Sequence, residues 1–106
     1  MRKLKNIREY SESIEQNKVQ IFQFGTSTCT PCVAIRQKLD LWSEGREGVS
    51  CLYVSVEEFP EQASAEGIFS VPAILVYVEG KLTIRECGYF SLEEIFGKIE
   101  RYMLFL

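Results

Sequence analysis

The chain contains no histidine. That absence removes every Ser-His or Cys-His nucleophile and every His-ligated metal site. Long apolar runs are missing too: the longest mostly apolar stretch, Val71 to Val78, is far too short to cross a bilayer. No block of positive charge is present, and 12 basic against 15 acidic residues leave a net charge of −3. Neither a nucleic-acid nor an anionic-membrane footprint is expected from that balance. Four cysteines in 106 residues are too few for a disulfide-stapled secreted scaffold. The basic start, Met1-Arg2-Lys3-Leu4-Lys5, is followed by Arg8, Glu9, Ser11 and Glu12, where an export signal would carry its apolar core. A soluble, cytoplasmic protein is the expectation.

What is present is core-forming material. Hydrophobic residues make up 46% of the chain and aromatics 12%, so residues 1–106 read as one compact domain. Asn6 and Glu9 have the spacing of a helix cap and its reciprocal partner, and Ile7, Tyr10 and Ile14 continue at helical spacing. Val19 to Phe24 reads as a strand and Thr30 to Ser43 as a helix with Ile35, Leu39 and Trp42 on one face. Val49 to Val56 is a second strand; Pro60 and Gly67 frame a short helix. Ala73–Val78 and Leu82–Cys87 flank a hairpin signal at Glu79-Gly80-Lys81. A last helix follows Gly88, striped by Leu92, Ile95, Phe96, Ile99 and Met103. The resulting order, with residues 2–5 an undecided edge strand, implies parallel strands joined by helical crossovers and a terminal antiparallel pair.

The chemistry sits in Cys29-Thr30-Pro31-Cys32, at the hand-over from strand to helix. Two intervening residues let the sulfurs close a small disulfide ring across the first helical turn. The same placement sets Cys29 against unpaired N–H groups and the positive end of the helix dipole. That favours the thiolate, which is the attacking species in disulfide exchange. Cys32 is then placed as the resolving thiol, and Pro31 suits the first turn because its missing N–H would have had no intrahelical partner. A C-x-x-C alone also fits half a metal site, a structural disulfide or coincidence. Metal is disfavoured here because Cys51 and Cys87 lie 36 residues apart and no histidine exists to complete a ligand set.

These residues resemble the thioredoxin family over nearly the whole chain. Phe24-Gly25-Thr26-Ser27-Thr28-Cys29-Thr30-Pro31-Cys32 is similar to the family's strand, loop and C-x-P-C site. Gly67-Ile68-Phe69-Ser70-Val71-Pro72 is similar to the segment leading to its cis-proline, and Gly80 and Gly88 fall at its hairpin and its groove glycine. The resemblance implies a thioredoxin fold: an α/β architecture with a central mixed sheet of four to five strands and helices on both faces. It implies a substrate groove at Thr28, Val71, Pro72 and Gly88, in which the residue before the proline offers its backbone to an extended segment. It also implies dithiol–disulfide exchange on protein disulfides, no bound cofactor and no metal. The recycling partner would be an NADPH-dependent thioredoxin reductase or a low-molecular-weight thiol. Thr30 lies in the dipeptide that tunes the family's potential.

Several positions depart from the family pattern. Gln23 stands where a buried Asp usually supports the resolving cysteine, and Tyr53 where a Lys often pairs with it. Gln23 and Tyr53 are expected to form a neutral buried pair. Thr28 replaces a tryptophan and Val33 a lysine. With no Lys or His near it, Cys29 is expected to depend on the helix N-terminus alone. Cys51 reads as a small core residue; Cys87, just before Gly88, is either packing or a third redox thiol. Glu57 and Glu58 read as a solvated face. The departures leave open a rival reading, a binding or adaptor module that uses the Pro72 groove without turnover.

Overall fold

A computed structural model describes residues 1–106, the whole chain. Its element order is β1 (Arg2–Lys3), α1 (Ile7–Gln16), β2 (Val19–Gly25), α2 (Thr30–Ser43), β3 (Val49–Ser55), α3 (Pro60–Ala65), β4 (Ala73–Val78), β5 (Lys81–Cys87) and α4 (Leu92–Met103). The five strands form one sheet in the order β1-β3-β2-β4-β5. β3 is parallel to both β1 and β2, whereas β4 runs antiparallel to β2 and to β5. The fifth strand is the two-residue edge β1, too short for a period-two signal to reveal.

Alternation along the strands sorts the core into two layers. Phe22, Phe24, Leu52, Val54 and Leu75 point to one face, where Tyr10 of α1 and Ala63 of α3 cover them. Val19, Ile21, Ile74 and Val76 point to the other, under Leu39 of α2 and Ile95 and Ile99 of α4. The apolar stripes on α2 and α4 are therefore core stripes: Trp42 stacks on Phe96 with centroids 4.6 Å apart. On the opposite face Tyr10 stacks on Phe22 at 4.0 Å.

Local signals close the elements. Asn6 caps α1 by accepting from the Glu9 amide, and Ser91 caps α4 by accepting from that of Glu94. At the β4–β5 hairpin Glu79 and Gly80 both have positive φ, 51° and 81°, the geometry of a two-residue turn that follows the sheet twist.

Candidate functional site

β2 ends at Gly25, and α2 begins at Thr30 with Cys29 as its N-cap residue and Pro31 in the first turn. Cys29 and Cys32 are joined by a disulfide, with their Cα atoms 5.3 Å apart. The two cysteines differ in access: Cys29 is half-buried, whereas Cys32 is 1% exposed. No side chain caps α2, so its first-turn N–H groups face the Cys29 end. A thiolate released there would meet the positive end of a 14-residue helix.

On one side of the disulfide lies a groove of about 530 Å³, lined by Pro31, Val71, Pro72, Gly88, Tyr89 and Phe90 among others. The Val71–Pro72 peptide bond is cis. The Gly88 amide donates to the Pro72 carbonyl at 2.8 Å, which ties the start of the last loop to the groove floor. Tyr89 is fully exposed at its rim. Thr28, expected in this groove, is not among its lining residues; it is exposed on the preceding loop, its hydroxyl 3.4 Å from that of Thr26.

A second cavity lies on the other side of Cys29, lined by that residue with Lys3, Thr26, Arg36, Tyr53 and Glu57 among others. Here the surroundings of Cys29 differ from the sequence-based expectation. The Arg36 guanidinium shares the cavity and lies 4.0 Å over the Tyr53 ring. Arg36 follows Cys32 by one helical turn on α2, a spacing through which sequence could have found it. Glu57 is likewise more than a solvated charge. It accepts from the Ser27 amide and hydroxyl, and those bonds, the amide's first, hold its carboxyl below the ordinary carboxylate range.

Beneath the disulfide, Gln23 is fully buried and its Nε2 donates to the Cys32 carbonyl at 2.8 Å. Its Oε1 has no partner. Gln23 and Tyr53 are register neighbours on β2 and β3, but they do not pair as expected: Gln23 is committed to Cys32, and the Tyr53 hydroxyl projects toward Gly25. Strand parity puts both on the α2 side, since Gln23 follows Ile21 by two residues and Tyr53 follows Cys51 by two.

The remaining thiols are free. Cys51 packs against the α2–α4 layer, and burial pushes its thiol up to about 11. Cys87 is half-buried, paired in register with Ala73 and packed against the α1–α3 layer. No group of His, Cys, Asp and Glu side chains has the arrangement of a metal site. No helix is long and apolar enough to cross a membrane.

A family model described as Thioredoxin matches residues 2–101. The chain belongs to the thioredoxin family. It is 26% identical over 78 residues to Thioredoxin-2 of Pyricularia oryzae, covering 74% of this chain and 46% of that protein. It therefore spans about half the length of that relative. Against Thioredoxin-1 of Schizosaccharomyces pombe it is 26% identical over 89 residues, 84% of this chain and 78% of the relative. A thioredoxin variant from Halobacterium salinarum superposes with a TM-score of 0.85 at 21% identity, over 95% of this chain and 88% of the other. That likeness shows the fold. Family membership and the intact Cys29–Cys32 disulfide together give the chain a thiol–disulfide oxidoreductase site.

Proposed function

We propose that the chain reduces disulfides of other proteins, with Cys29 as the attacking thiolate and Cys32 as the resolving thiol. The observation that carries this reading is the unequal access of the two bonded cysteines, Cys29 half-buried against Cys32 1% exposed. An incoming disulfide reaches Cys29 first, and Cys32 is held where only a partner already bound to Cys29 can be displaced. The Cys29 thiolate attacks one substrate sulfur, the substrate S–S bond breaks, and one substrate thiolate leaves. Cys32, losing its proton, then attacks Cys29, which releases the second substrate thiolate and leaves the Cys29–Cys32 disulfide. Two electrons pass to the substrate, and the two protons it needs balance those lost by the cysteines.

In this reading Val71, Pro72 and Gly88 seat an extended substrate segment in the groove beside Pro31, and Gln23 holds the Cys32 turn through its carbonyl. Thr30 and Thr28 border the site on exposed backbone. The residues 1–106 act as one redox unit. Recycling requires an external two-electron donor, a thioredoxin reductase or a low-molecular-weight thiol, so the chain takes part in electron transport. Two free thiols beside one reversible disulfide suit a reducing compartment such as the cytoplasm.

Insulin-disulfide reduction with a small dithiol as electron source tests the proposal. The wild-type chain accelerates the reaction and Cys29→Ser abolishes the acceleration. Full activity in Cys29→Ser would remove Cys29 as the attacking thiolate, and no acceleration by the wild-type chain would leave the binding-module reading instead.

A further inference from the structure

Gly25 is the one glycine beside the disulfide whose backbone does not require it, because its φ is not in the positive region that five other glycines of the chain occupy. What it leaves is room. A Cβ on Gly25 would lie 2.6 Å from the Tyr53 hydroxyl oxygen and 2.8 Å from Cys32 Sγ. The phenol and the buried sulfur thus converge on the same small space. The Tyr53 ring is held there by the Arg36 guanidinium, stacked 4.0 Å above it with its own Nε buried and without a hydrogen-bond partner. A cation over the ring face draws electron density from the phenol and makes its hydroxyl a better donor. Gln23 directs an N–H of its Nε2 to the Cys32 carbonyl, so it holds the backbone of the turn, whereas the Tyr53 hydroxyl meets the space beside the sulfur.

We propose that the Tyr53 hydroxyl donates the hydrogen bond that stabilises the Cys32 thiolate during resolution, with Arg36 as the positioning residue for its ring. The inference rests on the reading of Cys32 as the resolving thiol. When the mixed disulfide on Cys29 is to be broken, the Cys32 proton passes to solvent and negative charge appears on a sulfur that is almost wholly enclosed. Tyr53 keeps its own proton and supplies a donor in place of the water that the site excludes. The departing substrate thiolate recovers a proton from solvent, so the step is balanced.

The test is a stopped-flow reaction of the reduced chain with a symmetrical aromatic disulfide whose two coloured thiolates leave in succession. The first phase reads attack by Cys29 and the second reads resolution by Cys32. Tyr53→Phe keeps the ring and the stacked guanidinium and removes only the hydroxyl. We expect it to slow the second phase by about tenfold at neutral pH, the scale of one hydrogen bond to a charged group, and to leave the first within about twofold. The Cys32 thiol pKa, followed by the carbon-13 shift of its Cβ, should rise in the same variant. Arg36→Gln should slow the second phase by about two- to fivefold, and Arg36→Lys should recover part of that loss. An unchanged second phase and Cys32 pKa in Tyr53→Phe would overturn the inference. Equal slowing of both phases would overturn it as well, since Tyr53 would then merely shape the site. Because a small disulfide is used, the outcome stands apart from insulin reduction, on which the protein-disulfide reading depends.

Discussion

Glu57 accepts two hydrogen bonds from Ser27, one from the amide at 2.7 Å and one from the hydroxyl at 2.9 Å. The pair bridges 30 residues of sequence and pins the exposed loop two positions before Cys29. Because these bonds favour the ionised carboxylate, the folded pKa lies below the unfolded one. Their contribution is therefore complete above the unfolded carboxylate range and fades as pH falls through the depressed folded value. The Ser27 amide resonance should follow that titration with a midpoint below the ordinary Glu range. A midpoint at the ordinary value would contradict the bridge.

Gly25→Ala should be costly. Its methyl group would meet both the Tyr53 hydroxyl and Cys32 Sγ inside normal contact distance. Urea unfolding should show a loss of about 1–3 kcal/mol, the usual range for overpacking. Tyr53→Phe in the Gly25→Ala background should return part of it, because one of the two clashing atoms is gone. Additive losses in the double variant would count against a shared space.

Leu39 fastens the redox helix to the sheet. It is fully buried on α2 among Ile21, Ile74 and Ile95. Leu39→Ala should destabilise the fold by about 2–5 kcal/mol in the same unfolding assay. A loss below about 1 kcal/mol would mean that α2 is held mainly by something else.

Cys51 should be inert at neutral pH. Burial raises its thiol from 9.0 to about 11 in the folded chain. Between those values the unfolded form ionises while the folded form does not. The associated stability is complete below pH 9.0 and is lost as pH rises toward about 11. Alkylation of the native reduced chain at pH near 8 should label Cys29 and spare Cys51, and Cys51→Ala should lessen the alkaline loss of stability. Equal labelling of the two would refute this assignment.

The sequence makes the large elements legible because each has its own period or punctuation. Cys29-Thr30-Pro31-Cys32 marks the strand-to-helix junction, Glu79-Gly80 the hairpin, and the stripe from Leu92 to Met103 the helix that covers α2's side of the sheet. Features that join distant segments are harder to read. The Arg36–Tyr53 stack depends on how α2 packs against β3, and the Ser27–Glu57 bridge on how the loops after β2 and β3 are brought side by side; no local pattern encodes either pairing. Strand parity does place Gln23 and Tyr53 on the same face. It cannot reveal that Gln23 is taken up by the Cys32 carbonyl while Tyr53 turns to the space above Gly25. Thr28, which the resemblance places at the groove, is exposed on the loop before Cys29 and does not line the groove beside Pro31.

The division of labour between the two bonded cysteines is tested most directly by trapping. Reduced Cys32→Ser and Cys29→Ser proteins are each mixed with oxidised insulin, quenched with an alkylating agent and mapped by peptide mass. The account predicts that Cys32→Ser accumulates a mixed disulfide through Cys29, while Cys29→Ser accumulates none because Cys32 is 1% exposed. Trapping through Cys32 in the Cys29→Ser protein, or none in Cys32→Ser, would contradict it.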